Sequence, residues 1–248
     1  PHLKLGYLFS KSYWLSPSSI IDLKVFLLNG LVKGLLLYPM MISFLVMPQW
    51  IESTLSKNFG FVALPLTYFQ IVLIYSIVSV VVSDFFAFLL HYLMHNVPFL
   101  WKFHRVHHSA TRLTPLTQYR LHPVELFLTN IRGGVVLGVL SGVFQYMSGG
   151  NIKAIEFLGI NFLTFSFLIW GANLRHSEIP LRYFNFLEYF LISPRQHQIH
   201  HSDSPEHYHA NYGAKLAIWD LLFKSLVFSR ETKELKFKQA EPLISSGT

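Results

Sequence analysis

Long runs without charged residues dominate the hydropathy pattern of the chain and predict helices that cross a bilayer. A helix needs about 20 apolar residues to span the hydrocarbon core. Four stretches meet this length: Val25 to Met47, Leu64 to His95, Val124 to Met147 and Ile152 to Leu174. The pattern therefore predicts an all-α fold, an integral membrane bundle of about four transmembrane helices with a helical cap.

The second stretch is predicted to extend beyond the membrane. Pro65 suits a first helical turn, and no charged residue occurs from Asn58 through Ser83. At roughly 1.5 Å per residue the helix would be about 48 Å long, whereas the hydrocarbon core is about 30 Å thick. We therefore expect its last three turns, up to the break at Asn96 and Pro98, to lie in water.

The remaining stretches carry features that modify the predicted helices. Lys33 interrupts the first stretch and Pro39 is expected to kink it, so whether this stretch spans the bilayer fully stays open. The residues from Ser148 to Asn151, which include two glycines, join the third and fourth stretches. Such a tight connection is typical of an antiparallel helical hairpin.

The distribution of basic residues predicts the orientation of the bundle. The net charge is +7, and eighteen of the twenty Lys and Arg residues fall between Lys4 and Lys33, Lys102 and Arg132, or Arg175 and Lys238. Four spans place all three blocks on one side of the membrane, which the positive-inside rule identifies as cytoplasmic. This explanation of the positive charge requires no nucleic-acid partner, and none is expected.

Composition excludes several classes of protein and of site. Only 13% of the residues are charged, against roughly 25% in soluble domains, which argues against a disordered or purely soluble protein. Cysteine is absent, so disulfides, thiolate zinc sites, Fe–S clusters and cysteine nucleophiles are excluded for this chain. A metal ion would have to be held by nitrogen or oxygen ligands.

Histidine is concentrated in one part of the chain. Twelve of the thirteen histidines lie between residues 91 and 209, on the predicted cytoplasmic side or at its interface. Eight of them form the sets H-Y-L-M-H (91–95), H-R-V-H-H (104–108) and H-Q-I-H-H (197–201). Residues at i, i+3 and i+4 share one face of a helix. Brought together, eight imidazoles could hold two metal ions with open coordination positions.

Ligand type alone does not select the metal, because imidazole suits iron, zinc, copper and nickel. The H-E-x-x-H motif of zinc proteases is absent, and the paired E-x-x-H motifs of soluble di-iron bundles do not occur. Single histidines are more often ordinary polar side chains, which is how we interpret His2. A non-catalytic zinc scaffold or metal store is the alternative to an enzyme. Transport is disfavoured, since the spans lack central ionisable residues apart from Lys33.

The three histidine sets resemble those of the sterol desaturase/fatty acid hydroxylase superfamily, which consists of integral membrane di-iron oxidases. Further matching elements follow in the same order over roughly residues 75 to 228. They are R-L-H-P-V-E (120–125), N-L-R-H-S (173–177), S-P-R-Q ahead of the last set, N-Y-G (211–213) and W-D-L-L-F (219–223). Any one set is a weak signal, but the combination is specific.

The resemblance implies metal ligands, residue by residue. They are His91, His95, His104, His107, His108, His176, His197, His200 and His201. His122 is expected to orient the site or the substrate. Many relatives have a further histidine where this chain has Gly171, so a tenth ligand stays open, with His207 and His209 as candidates.

Carboxylates near the sets are candidates to hydrogen-bond the ligands. Asp84 lies seven residues before His91 on the same helical face, where it could instead cap the apolar run. Glu125 falls in a first helical turn, which favours a structural role. Asp203 and Glu206 follow the last set and could contact ligands or be solvated.

The reaction that the resemblance implies is O2-dependent oxidation of a lipid C–H bond, by hydroxylation or desaturation. The expected cofactors are two iron ions, which zinc could replace in purified protein, and O2 is the cosubstrate. The expected substrate is a sterol, fatty acyl chain or related lipid. Candidate channel residues, each more often ordinary packing, are Phe99, Trp101, Phe103 and Tyr119.

Electrons must come from an external reductase or small carrier, because the chain has no flavin or nicotinamide motif and no Fe–S centre. Basic residues near the C-terminus could dock an acidic carrier or contact anionic headgroups. They are Lys215, Lys224, Lys233, Lys236 and Lys238.

Three regions are expected along the chain. They are an N-terminal segment with the first membrane helix (1–60), a catalytic domain (61–228) and a polar tail (229–248). The N-terminus shows no cleavable signal pattern, and because the sequence starts at Pro1 we expect further residues to precede it.

Overall fold

A computed structural model describes residues 5–150 and 174–232, together with Leu235 and Phe237. Within these residues the chain forms helices and no β-strand. Two isolated antiparallel bridges pair Ala63 with Ser148 and Leu191 with Leu216. The all-α prediction is therefore confirmed for the described part of the chain.

Nine α-helices are numbered here in chain order over the described residues. They are α1 (Lys11–Trp14), α2 (Pro17–Val32), α3 (Tyr38–Ser43), α4 (Met47–Phe59), α5 (Tyr68–Asn96), α6 (Pro98–His108), α7 (Pro123–Met147), α8 (Pro194–His200) and α9 (Ile218–Phe223). A π-helical segment occupies Lys33–Leu37. Short 3-10 segments lie at Leu5–Phe9, Phe44–Val46, Thr117–Tyr119, Leu187–Tyr189, Pro205–His207 and Ser229–Glu231.

Two helices of the described residues, α5 and α7, are long and apolar enough to cross a membrane. Helix α7 begins at Pro123, one residue before the predicted start of the third stretch. The fourth stretch, Ile152 to Leu174, lies outside the described residues apart from Leu174. Of the four predicted spans, two therefore correspond to candidate membrane helices.

Helix α5 begins at Tyr68, later than the predicted start at Leu64 and Pro65. The cause is a reciprocal cap immediately before Tyr68. The backbone N–H of Thr67 donates to Oε1 of Gln70 at 2.8 Å, and the backbone N–H of Gln70 donates to the Thr67 hydroxyl at 3.3 Å. This cap satisfies backbone groups that would otherwise lack partners at the helix start.

The first stretch is not a single α-helix. Between α2 and α3 the chain widens into the π-helical segment that starts at Lys33, the residue predicted to interrupt the stretch. Pro39 lies just beyond this segment, and its ring would clash with the carbonyl of Leu35 in a regular α-helix. A wider turn at this position relieves the clash. Whether the stretch crosses the membrane stays a prediction.

The turn after α7 requires glycine at two positions, as expected of a tight turn. Gly149 and Gly150 have φ values of +67° and +75°, which side chains other than glycine rarely adopt. The hairpin predicted between the third and fourth stretches lies outside the described residues, because these end at Gly150.

Two compact units divide the chain. The first comprises residues 1–30, 91–125 and 171–248, and the second comprises residues 31–90 and 126–170. Every histidine predicted to bind metal belongs to the first unit, whereas Asp84 belongs to the second.

In the second unit, aromatic packing and close helix contacts hold the helices together. Tyr75 and Phe144 are buried, with ring centroids 5.3 Å apart, and the Tyr75 hydroxyl lies 3.1 Å from that of Ser141. A Cβ atom at Gly142 would lie 2.7 Å from the carbonyl oxygen of Pro48. Glycine at this position therefore allows α4 and α7 to approach closely.

In the first unit, α2 holds the loop that precedes α7. The carboxylate of Asp22 is fully buried and accepts hydrogen bonds from Thr114 at 3.1 Å, Thr117 at 2.7 Å and the guanidinium of Arg120 at 3.0 Å. The Asn29 amide donates to two carbonyl oxygens of the same loop. The ion pair between Asp22 and Arg120 is thus part of a connected polar network.

Neutralising Asp22 should destabilise the protein strongly. In Asp22→Asn the buried Arg120 keeps its charge without a counterion. Removing one partner of a buried ion pair lowers the free energy of unfolding by about 3–5 kcal/mol. We expect the melting temperature of the detergent-purified protein to fall by roughly 10 °C. Lys24→Gln, at an exposed position on the same helix, is the control and should leave the melting temperature unchanged. Equal melting temperatures for the two variants would contradict a structural role for the pair.

Candidate metal centre

Helix α6, and helix α8 together with its C-cap residue His201, present two of the predicted histidine sets as the spacing requires. Helix α8 begins in a capping box, in which the Ser193 hydroxyl accepts from the backbone N–H of Gln196 and the Gln196 side chain accepts from that of Ser193. Pro194 occupies the first turn, and every residue of α8 is buried. The third set of ligand candidates, His91 and His95, lies in the last turns of α5.

The nine predicted ligands assemble into two clusters, within each of which the candidate ligand atoms lie within 4.8 Å of one another. The five-histidine cluster consists of His91, His95, His104, His108 and His200. The four-histidine cluster consists of His107, His176, His197 and His201. Each H-x-x-H-H set is therefore divided, since its i and i+4 members join one cluster and its i+3 member joins the other.

In the five-histidine cluster every Nε2 atom is buried without a hydrogen-bond partner among the described residues. Buried polar atoms in proteins nearly always have a partner, so five such atoms in one place require an explanation. A bound cation provides it, because the lone pairs of neutral imidazoles would become its ligands.

Hydrogen bonds to Nδ1 select the tautomer that leaves these lone pairs available. Nδ1 of His91 lies 2.7 Å from the carbonyl oxygen of Tyr212, and Nδ1 of His200 lies 2.7 Å from that of Ala210. A carbonyl oxygen only accepts, so both Nδ1 atoms carry the proton. Such partners orient metal-binding imidazoles and raise their basicity.

Glu125, in its ionised form, would give His104 the same support. Its Oε1 atom lies 2.8 Å from Nδ1 of His104, and both side chains are buried. Sequence reasoning favoured a structural role at the start of α7 for Glu125 and did not predict this contact. One sequence signal could have indicated this contact. Glu125 follows Pro123 by two residues, at the start of the helix that comes after the second histidine set.

All four members of the four-histidine cluster are buried, and their Nε2 atoms lie close together. Nε2 of His176 lies 3.2 Å from those of His107 and His201 and 3.0 Å from that of His197. Two nitrogen ligands about 2.1 Å from one ion, at tetrahedral or octahedral angles, would be about 3.0–3.4 Å apart. The separations therefore fit a shared metal ion.

Burial keeps the imidazoles of both clusters neutral. Desolvation, followed for most of them by the nearby imidazoles, lowers the pKa values of His107, His108, His197 and His201 well below the usual value. For His104, desolvation lowers the pKa to about 3. Neutral imidazole is the form that binds metal, so these residues retain ligand capacity in mildly acidic solution.

A loop fixed by several hydrogen bonds supplies the carbonyl partners of the five-histidine cluster. Asp220 accepts hydrogen bonds from the backbone N–H groups of Tyr212 at 2.8 Å and Gly213 at 2.7 Å. A Cβ atom at Gly213 would lie 2.7 Å from Oδ2 of Asp220, so only glycine fits. Asn211, at φ 55°, exchanges hydrogen bonds with the backbone of Val227. The N-Y-G and W-D elements thus position the Tyr212 carbonyl.

The other predicted site histidines lie outside both clusters. Nδ1 of His122 accepts from the backbone N–H of Val124, at the start of α7. His207 contacts the hydroxyl groups of Ser202 and Thr232, and Nδ1 of His209 lies 3.0 Å from the Tyr212 hydroxyl. Gly171 lies outside the described residues.

Asp84 is fully buried in the second unit, where it interacts electrostatically with Arg132. A role for Asp84 as a partner of a ligand histidine stays a prediction. Of the predicted channel residues, Phe103 contacts Phe99 and His122, and Tyr119 contacts Phe26.

A cavity of about 360 Å³ adjoins the five-histidine cluster. Three members of that cluster contribute to its lining, together with His201, and Trp101 is the one predicted channel residue that does so. The indole ring lies 5.0 Å from the ring of His95 and 5.6 Å from that of His108. A molecule in this cavity would therefore lie beside the candidate ligands.

Comparison with known proteins places this arrangement in a family. The family model for fatty acid hydroxylases matches residues 76–225, which is more than half of the chain. The chain therefore belongs to the fatty acid hydroxylase family, as the resemblance of its histidine sets predicted. No solved structure matches the chain at a significant level.

Three curated relatives match parts of the chain. Ornithine lipid hydroxylase OlsE of Rhizobium tropici is 30% identical over 157 residues, which cover 62% of this chain and 40% of that protein. Alkylglycerol monooxygenase of Xenopus tropicalis is 28% identical over 60% of this chain and 29% of its own length. Fatty acid hydroxylase vlmA of Lecanicillium sp is 26% identical over 64% and 43%. The matches thus span less than half of each relative.

Removing the carboxylate partner of His104 should weaken metal binding. We expect Glu125→Ala to lower the metal affinity of the purified protein about 10- to 100-fold, the usual effect of losing such a partner. Metal content after dialysis against graded chelator concentrations measures the change. Glu231→Gln, at an exposed position, is the control. Unchanged retention in Glu125→Ala would contradict the orienting role.

The metal-free protein should lose stability as the pH falls below about 6.5. In the unfolded chain histidine has its ordinary pKa, whereas in the folded state burial lowers the pKa, to about 3 for His104. Between these values the unfolded state binds more protons, so stability present above pH 6.5 is lost on acidification. The melting temperature measured from pH 7.5 to pH 5 should fall steadily. A flat profile would show that the clusters are not buried as neutral imidazoles.

Proposed function

We propose that this member of the fatty acid hydroxylase family is an O2-dependent lipid hydroxylase that holds one iron ion in each histidine cluster. The observation that carries the proposal is the set of five unpartnered Nε2 atoms beside a cavity. Ligand capacity and access for a substrate thus occur together. The buried four-histidine cluster would hold the second iron ion.

The relatives support a lipid substrate and favour hydroxylation. Two of the three are named as hydroxylases and one as a monooxygenase, and each acts on a lipid according to its name. Their names differ in the lipid, so the comparisons favour the reaction type over any one substrate. We therefore propose hydroxylation in preference to desaturation for this chain.

The overall reaction converts a C–H bond, O2, two electrons and two protons into a C–OH group and water. Bound iron would supply the redox chemistry that activates O2 and oxidises the C–H bond. The chain's own residues fix the ligand geometry, exclude water and align one C–H bond. The Tyr212 and Ala210 carbonyls hold two imidazoles in the ligating tautomer, and an ionised Glu125 would do the same for His104.

Residues 1–248 contain no cysteine and no flavin or nicotinamide motif, so the two electrons would have to come from a separate redox group. We propose a reductase or small electron carrier as partner. Lys215 and Lys224 remain candidates for its docking surface. Lys233, Lys236 and Lys238 lie outside the described residues.

The proposed location is a membrane, with the histidine clusters and both termini on the cytoplasmic side. Two candidate membrane helices and the family membership support membrane association. Apolar side chains on α5 are exposed in the structure, among them Phe69 at 71% and Ile77 at 49%. Lipid contact would account for this exposure.

Iron content and O2 consumption test the proposal directly. Protein expressed with ample iron, purified in detergent and reduced with dithionite should contain about two irons per chain and consume O2. His107→Ala and His200→Ala each remove a ligand from a different cluster. Each should lower the iron content towards one per chain and abolish O2 uptake.

His2→Ala is the control, because His2 lies outside the histidine-rich window. It should retain both iron ions and full O2 uptake. Stoichiometric zinc that persists after iron loading, with no O2 uptake, would contradict the proposal. That result would favour the non-catalytic zinc-binding alternative.

A further inference from the structure

The cavity beside the five-histidine cluster has a mixed lining of polar, charged and aromatic side chains. It is lined by His95, Trp101, Arg105, His108, His200, His201, Ser202, Asp203, Tyr208 and His209. Its volume of about 360 Å³ lies at the small end of the range for ligand sites, about 300–1,000 Å³. The cavity therefore suits a headgroup and the first carbons beyond it better than a whole lipid.

Two opposite charges face this cavity without a partner. The exposed side chains of Arg105, on α6, and Asp203, after α8, form no hydrogen bond or ion pair with any described residue, including each other. Opposite charges that share a site usually pair when they can reach one another. Here both remain available to a ligand.

A purely apolar ligand would leave both charges of the cavity without a protein or ligand partner. Arg105 and Asp203 are exposed, so an alkyl chain would make no use of either charge. A ligand that carries both an anionic oxygen group and an ammonium group would satisfy both side chains. Arginine is suited to carboxylate or phosphate oxygens, because its planar guanidinium donates two parallel hydrogen bonds.

We propose that this cavity binds the zwitterionic headgroup of the lipid substrate, with its anionic group at Arg105 and its ammonium group at Asp203. The inference rests on the proposed function and adds a substrate class. The carbon presented to His95, His108 and His200 then lies in the headgroup or next to it. The headgroup, rather than the far end of an acyl chain, occupies this position under the proposal.

Three matched ligands test the two contacts separately. N-palmitoyl-ornithine carries a carboxylate and an ammonium group, N-palmitoyl-putrescine lacks the carboxylate, and N-palmitoyl-norvaline lacks the ammonium group. Calorimetric titration of metal-loaded protein in detergent, without reductant, measures binding in the absence of turnover. The unmodified protein should bind the zwitterion about tenfold more tightly than either singly charged analogue.

The variants Arg105→Gln and Asp203→Asn should show a crossed pattern. Arg105→Gln should weaken the two carboxylate ligands about tenfold and leave the putrescine ligand unchanged. Asp203→Asn should weaken the two ammonium ligands and leave the norvaline ligand unchanged. Lys102→Gln, on the same helix as Arg105 but outside the cavity lining, is the control and should bind all three normally.

Equal affinity of the unmodified protein for the three ligands would overturn the inference, even if a variant failed to fold. Uniform weakening of all three ligands by either variant would also overturn it. Lysophosphatidylethanolamine, as a further ligand, distinguishes phosphate from carboxylate as the preferred anionic group. Tight binding of either zwitterion supports the inference.

Product analysis separates this inference from the proposed function. Under reductant and O2, tandem mass spectrometry of the N-palmitoyl-ornithine product locates the added oxygen. Oxygen in the headgroup fragment supports both proposals, whereas oxygen in the palmitoyl fragment overturns the headgroup inference alone. The crossed binding pattern without any oxidation supports the headgroup site and contradicts the hydroxylase function.

Discussion

The convergence of nine imidazoles, whose candidate ligand nitrogens lie close together, is the constraint on which the first unit depends. A buried polar nitrogen without a partner is costly, and here five Nε2 atoms of one cluster lack partners among the described residues. Much of the surrounding structure can be understood as the means of holding these rings in one tautomer. Three oxygen atoms each contact the Nδ1 atom of a different ring. They belong to the carbonyl groups of Tyr212 and Ala210 and to the carboxyl group of Glu125.

These partners are themselves held in place by buried polar contacts. Asp220 fixes the backbone of Tyr212, and Gly213 is required because a side chain would collide with that carboxylate. Asp22, on α2, binds Arg120, which lies five residues before Glu125. Helix α2 lies outside residues 76–225, the range of the family match, yet it anchors the loop that leads to Glu125.

The two clusters differ in their access to solvent. All four members of the four-histidine cluster are buried, whereas His91, His95 and His108 of the five-histidine cluster are only partly buried. The cavity adjoins the more accessible cluster, which is consistent with a substrate that approaches from that side. Arg105 and Asp203 give the cavity a polarity that a fatty acyl chain alone would not need.

Local helical geometry explains how much the sequence determined by itself. Spacings of three and four residues place His104, His107 and His108 on one helix face whatever the tertiary structure, and long apolar runs identify α5 and α7. Tertiary packing alone decided that His107 joins His197 and His201, while His200 joins His104 and His108. Tertiary packing also decided the contact between Glu125 and His104, which lie 21 residues apart in the sequence. Spacing within a helix fixes which residues share a face, but only the packing of α6, α8 and the end of α5 decides which nitrogens converge.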